Sequence, residues 1–204
     1  METTLSTFKC RASASGELMT NPKLKTETLS KTTKTYIQTW IKEQIYGYKK
    51  QLDNKYITKG LDMEDMAIDK AIEWLDLPFV MKNKERKEDD FFTGEPDLIC
   101  KGIIYDIKNS YDAFTFPLFE TELPNDDYFY QMQVYMHLFK LKKAFVVYVL
   151  MNTPATKWEP EITYDHVGKE YRIKTFEVNY DPTVIELLQN RVIESRNYIN
   201  SLKI

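Results

Sequence analysis

The stretch that most constrains this chain runs from Thr93 to Ser110, TGEPDLICKGIIYDIKNS. It reads as two short strands joined by a tight turn at Lys101-Gly102. Asp97 sits near the start of the first strand, and Ile103 to Lys108 form the second. Side chains alternate along a strand, so Asp106 and Lys108 face one way while Ile103, Tyr105 and Ile107 face the other. Two carboxylates and an ammonium can therefore meet at one end of the hairpin, backed by apolar residues. That geometry suits holding a divalent cation and presenting a water to a phosphodiester. The plain alternative is a solvent-facing hairpin edge with a surface ion pair, and the rest of the chain has to decide.

Composition narrows the classes. A chain of 204 residues suits one domain with a real core. Its 43% hydrophobic and 14% aromatic content is that of a globular protein. No apolar run approaches the ~20 residues of a membrane span. Residues 1–20 lack the apolar core of a signal peptide, which predicts a cytoplasmic location. Cys10 and Cys100 stand far apart, which suits a reducing compartment and speaks against an iron–sulfur cluster or structural zinc. With two histidines, a His-based metal centre is not expected either. The net charge of −3 is uneven: residues 1–60 carry eleven Lys/Arg against five acids, and the remainder is acidic. A basic part that grips phosphates beside an acidic body that binds metal would give this pattern, as would a solvated, flexible N-terminus.

The expected elements follow from periodicity. Residues 1–30 read as a basic, flexible arm. Within it Arg11, Ser13, Ser15 and the backbone near Gly16 could form a phosphate nest or an ordinary capped loop. Residues 32–53 read as an amphipathic helix with Tyr36, Ile37, Trp40, Ile41 and Ile45 on one face. A second helix over 61–76 follows Gly60, with Asp62 as N-cap and Ala67, Ile68, Ala71, Ile72 and Leu75 as its stripe. Glu64 falls in line with that stripe, where a carboxylate needs a partner or complements the helix dipole. Phe79-Val80-Met81 reads as a strand, and Lys82 to Asp90 as a charged hairpin turn or mobile loop. Residues 127–141 form a helix on which Gln131 and Tyr135, four apart, share a face. Lys143 to Met151 is a central apolar strand, Glu170 to Val178 a further strand, and Pro182 opens a long C-terminal helix.

These pieces, in this order, resemble the PD-(D/E)XK nuclease superfamily. Pro96-Asp97 matches the P-D and Asp106-Ile107-Lys108 the D-x-K. The order helix, strand, strand, strand, helix, strand resembles its α-β-β-β-α-β core, a restriction-endonuclease-like α/β fold with a central mixed sheet flanked by helices. Gln131-x-x-x-Tyr135 is similar to the Q-x-x-x-Y motif of the branch holding lambda exonuclease and the YqaJ-type phage recombination nucleases. Glu64 resembles that branch's first acid, and Arg11 with Ser13 and Ser15 its phosphate-binding element. Two departures stand out: Glu95 precedes the Pro-Asp where the branch tends to carry a small hydroxyl residue, and Asp106 replaces a common Glu.

The resemblance implies a single nuclease domain over 1–204 that binds Mg²⁺, or Mn²⁺, through Asp97, Asp106, the Ile107 carbonyl and Glu64. Lys108 would position or deprotonate the attacking water, or stabilise charge, with Gln131 and Tyr135 orienting it or the phosphate. It further implies an exonuclease acting on the ends of linear duplex DNA, from a phage or prophage in a bacterial host. A single-strand annealing protein would be its partner, and the relatives' ring-shaped trimer suggests a homo-oligomer. The competing readings are a restriction-type or CRISPR-adaptation endonuclease of the same superfamily, a non-catalytic DNA-binding protein of this fold, and an unrelated α/β protein with a chance motif.

Overall fold

The described chain begins in the core rather than beside it. The computed structural model describes residues 5–50, 63–155 and 160–202. Phe8, Cys10, Ala12, Ala14 and Leu18 are all buried in the main apolar cluster. Strand β1 (Cys10–Arg11) leads through a 3₁₀ turn at Ala12–Ala14 into the short helix α1 (Ser15–Met19). The basic arm expected over 1–30 is thus, from Phe8 to Leu18, a structural layer. Its alternating small and apolar residues fill space, while its charges stay at the surface.

Helix α2 (Lys31–Tyr46) is opened by Ser30, whose hydroxyl accepts the Thr33 N–H at 3.0 Å. It ends at Gly47, φ 70°, and so stops short of the expected residue 53. Tyr36, Ile37 and Ile41 are its buried positions. Helix α3 (Glu64–Trp74) buries Ala67, Ile68 and Ala71. The Gly60 and Asp62 expected to open it lie outside the described residues. Phe79 to Met81 is not a strand: Phe79 sits at φ 50° and both Phe79 and Met81 are exposed. Among the described residues, no strand pairs with this stretch. The strand forms later, inside the expected charged connection, as β2 (Lys87–Glu88).

Next come β3 (Phe92–Gly94), β4 (Leu98–Cys100), β5 (Ile103–Ser110), helix α4 (Asp126–Phe139), β6 (Lys143–Leu150), β7 (Ile173–Asn179) and helix α5 (Pro182–Ser201). Two sheets result. The smaller has the order β1-β3-β2, with Arg11 beside Thr93 and Lys87 opposite Gly94. The larger has the order β4-β5-β6-β7. Its β5–β6 pair is parallel and its other pairs antiparallel. A parallel pair needs a crossover, which α4 supplies. Strand β6 is interior, and its apolar run is used on both faces. Val147 and Val149 pack with Tyr105, Ile107 and the α3 residues Ala67 and Ala71. Ala144 and Val146 join Ile104 and the α4 residues Met132 and Met136 in the other cluster. This is the expected mixed sheet flanked by helices.

One asymmetry positions the site. Strand β5 has eight residues and its partner β4 only three. Leu98 pairs with Tyr105, and the ladder stops there. From Asp106 onward β5 has an open edge on that side, a notch flanked by α3 and α4.

Phe8 is 2% exposed and meets Tyr36 and Trp40 edge-on at 5.9 and 5.1 Å. Phe8→Ala should therefore cost about 3–5 kcal/mol in urea unfolding. A loss below about 0.5 kcal/mol, the scale of a surface change, would mean the segment is an appended arm after all.

Candidate active site

The notch holds a cleft of about 280 Å³ lined by Glu64, Ala67, Asp97, Asp106, Ile107, Lys108, Asn109, Tyr128, Gln131 and Tyr135. All six side chains proposed as catalytic from sequence line it, along with Ile107. They come from α3, the start of the hairpin, β5 and α4.

Asp106 is the centre. It is 2% exposed, and its Oδ2 lies 2.7 Å from the Lys108 ammonium. Both point to the α4 side of the sheet, as strand alternation requires. From α4, Gln131 ties the group together. Its Oε1 accepts from Lys108 Nζ at 3.2 Å. Its Nε2 donates to the Tyr135 hydroxyl at 3.0 Å and, more weakly, to Asp106 Oδ1 at 3.4 Å. Gly94 allows this packing, since a Cβ there would stand 2.9 Å from the Tyr135 ring. Asp97 lies one step beyond the β4 ladder and accepts the Ile107 N–H through Oδ2 at 2.7 Å. In a strand the N–H and C=O of one residue point the same way. The Ile107 carbonyl therefore also faces the notch. Glu64, in the first turn of α3, forms an ion pair of 2.6 Å with Lys82, which also meets Asp65 at 2.8 Å.

The electrostatics follow from crowding. Burial and then the Asp106 charge push the Asp97 carboxyl well above the usual carboxylate range. Burial works against the Lys108 ammonium, but Asp106 outweighs it, and the Lys108 pKa is raised. Burial and then the same Asp106 charge raise the Tyr135 hydroxyl.

Sequence reasoning missed Tyr128, whose ring centroid is 4.3 Å from the Lys108 ammonium. The signal was available: Tyr128 stands three residues before Gln131, on the same helix face. Asn109 and Ala67 were also missed. The phosphate-nest residues divide. Arg11 and Ser13 are exposed, but Ser15 is fully buried and its hydroxyl donates to the Ala12 carbonyl at 2.7 Å. The Ser15 side chain thus closes the 3₁₀ turn. His137, not expected in the site, lies apart from it, with Nε2 2.9 Å from Asp89 and Nδ1 3.3 Å from the Tyr180 hydroxyl.

The donors suit a hard divalent cation: carboxylates and a backbone carbonyl, with no thiolate or imidazole. Asp106 Oδ2 is buried with the Lys108 ammonium, 2.7 Å away, as its close partner. Among the described residues, no three His, Cys, Asp or Glu side chains stand together as a ready-made metal cluster. The fit therefore rests on the carboxylate pair and the carbonyl, with Glu64 turned to Lys82.

Solved structures share this arrangement of elements. A phage-related exonuclease from Haemophilus somnus 129PT superposes with a TM-score of 0.83 at 27% identity, over 97% of this chain and 96% of that one. The protein has the fold of the phage-type exonucleases. An alkaline exonuclease from Laribacter hongkongensis, LHK-Exo, is similar at a TM-score of 0.72 and 16% identity, over 95% of this chain and 88% of that one. A second LHK-Exo structure, in complex with dAMP, gives 0.70 at the same identity and coverage. These likenesses bear out the resemblance to the lambda exonuclease and YqaJ-type branch of the PD-(D/E)XK nucleases. No family model and no curated protein matches the sequence.

The exonuclease fold carries a stability cost at Asp97. Its folded pKa is raised above the unfolded value of about 3.9. The metal-free folded state thus binds the proton more tightly, and stability falls as pH rises from about 4 through the raised value. Asp97→Asn keeps an acceptor for the Ile107 N–H and removes the charge. In EDTA at pH 8 it should raise Tm by about 2–4 °C for each kcal/mol relieved, a tenfold difference in proton affinity between the folded and unfolded chain being worth about 1.4 kcal/mol. The gain should vanish near pH 4. A lower Tm for the variant at pH 8 would contradict this.

Proposed function

We propose that this chain is a metal-dependent deoxyribonuclease that hydrolyses phosphodiester bonds from the ends of linear duplex DNA, in phage-type recombination or DNA processing. The observation that carries the reading is the convergence of Asp97, Asp106, Lys108, Gln131 and Tyr135 in one cleft on an exonuclease fold. Residues 1–204 serve as one nuclease domain.

Asp97, Asp106 and the Ile107 carbonyl would hold Mg²⁺ or Mn²⁺, with Glu64 completing the set. When bound, the ion lowers the pKa of a water and offsets charge on the phosphate oxygens. Lys108 remains an ammonium beside Asp106, so its role is to stabilise developing negative charge rather than to take a proton. Gln131 holds the Lys108 head, Tyr135 holds the Gln131 amide, and the Tyr128 ring confines the ammonium from the other side. Arg11 and Ser13 would contact DNA phosphates, with Ser15 bracing the turn they stand on. The products would be a 5′-phosphate and a 3′-hydroxyl. LHK-Exo binds dAMP, a deoxynucleoside monophosphate of the kind that hydrolysis from a DNA end releases. A single-strand annealing partner and self-association belong to the same reading by resemblance.

The test is digestion of end-labelled linear duplex DNA, with a closed circle as control. Loss of the linear substrate alone should require Mg²⁺ or Mn²⁺ and stop in EDTA. Lys108→Ala should lower the rate by about 10²–10³-fold or more, on the scale of losing a charge-stabilising donor. Gln131→Ala should lower it by about 10-fold, as a positioning change of about 1.4 kcal/mol. Cutting of the circle would make the enzyme an endonuclease. Binding without cleavage in either metal would sink the catalytic reading.

A further inference from the structure

Glu95 departs from the pattern of the hairpin, and the structure gives it a partner. Its Oε2 accepts from Arg86 Nε at 3.2 Å and lies 3.1 Å from Arg86 Nη2. Lys87 pairs with Gly94, so Arg86 and Glu95 face each other one step beyond that ladder. This is the end of the small sheet that runs into Asp97.

The segment carrying Arg86 is fastened to the same spot. The Asn83 N–H donates to the Asp97 carbonyl at 2.7 Å. The Asn83 amide donates to the Pro96 carbonyl at 3.0 Å and to the Glu85 carbonyl at 2.9 Å. Arg86 is therefore registered against Asp97 by backbone contacts on one side and by a strand pair on the other. Burial and Asp106 dominate the raised Tyr135 hydroxyl, and the Arg86 charge is felt there in the opposite sense. Arg86 thus stands within electrostatic reach of the cleft.

Its donors are not all spent. The Arg86 side chain is 59% exposed, and one oxygen of Glu95 takes both of its contacts. The guanidinium keeps its remaining N–H groups for an acceptor arriving from solvent. A polyanion directed at Asp97, Asp106 and Lys108 needs cationic help, because the acids there repel it. Glu95 alone would add to that repulsion. Paired with Arg86 it is neutralised, and it also fixes the rotamer of a long side chain, which lowers the entropy lost on binding.

We propose that Arg86, held in place by Glu95, is a phosphate-binding residue at the mouth of the cleft that grips the nucleic-acid backbone next to the scissile bond. The proposal rests on the nuclease reading above. It assigns Glu95 to positioning the arginine, and not to the metal.

The test uses the full chain with a 5′-phosphorylated duplex. Fluorescence anisotropy in EDTA from about 50 to about 200 mM salt is paired with steady-state digestion in Mg²⁺. Arg86→Gln should raise KM by about tenfold, a loss of about 1.4 kcal/mol, with kcat within about twofold, and should reduce the salt slope of binding by about one. Arg86→Lys should restore the slope and only part of KM, because the point charge returns without the fork. Glu95→Gln should keep its Mg²⁺ dependence and raise KM by about threefold, because Arg86 keeps its charge but loses its fixed rotamer. An unchanged KM and slope in Arg86→Gln, with normal wild-type digestion, would overturn this inference alone. So would a Glu95→Gln variant that needs about tenfold more Mg²⁺, since Glu95 would then serve the metal. A wild type that neither binds nor digests duplex would overturn the nuclease reading with it.

Discussion

The buried Asp106 carboxylate is the constraint to which the site answers. A charge in that position is tolerated only with a partner. Lys108 supplies one from two residues along the strand, which is the nearest position on the same face. That pair then needs its remaining polar atoms met, and Gln131 does so from α4 with both ends of its amide. Tyr135 takes the last amide proton and packs on a glycine, so the small sheet has to approach closely. Each step follows from the preceding one. The chain therefore gains a stiff cluster whose charges do not cancel locally, since Asp97 stands beside it with a second acid. Such an imbalance is poor design for stability and good design for binding a cation.

The same logic gives the N-terminal segment and residues 83–86 their places. Neither contributes to the main sheet, yet both are fastened to the stretch from Phe92 to Asp97 that leads into the hairpin. Arg11 runs beside Thr93, and Asn83 clips onto the Pro96-Asp97 backbone. Arg196 on α5 ties the far end, donating to the Phe8 carbonyl at 2.9 Å. Basic side chains are thereby arranged on scaffolding shared with acidic ones. This separates charge over short distances without leaving either kind on a loose loop.

Much of this was legible in the sequence, for physical reasons. The hairpin, the Gln131–Tyr135 helix and the apolar β6 are defined by local periodicity, and local periodicity is what a sequence displays directly. Two-residue and four-residue repeats dictate which side chains share a face, and the resemblance to the PD-(D/E)XK nucleases said which of those side chains belong to the site. Three things were less legible. Phe79 to Met81 has strand composition, but composition does not supply a partner strand, and the pairing went to the charged Lys87-Glu88 instead. The first thirty residues have a disordered-looking composition, but Phe8, Cys10 and Leu18 found a surface made by distant parts of the chain. The third was Glu95, which reads as a misplaced acid until its cross-strand neighbour is known.

The hairpin turn has a further consequence. Lys101 and Gly102, with φ of 48° and 76°, close a two-residue connection. Three ladder pairs back from it, Leu98 meets Tyr105, so the next facing positions are Asp97 and Asp106. The interval of nine residues between the two acids is thus arithmetic imposed by the turn, and not a demand of the chemistry. The turn lies at the far end of the strands from the cleft. Homologous chains could lengthen it freely, with the acids still face to face and their separation in sequence greater. A search pattern written with a fixed gap would then pass over proteins whose sites superpose on this one, whereas a pattern counted backwards from the turn along each strand would recover them.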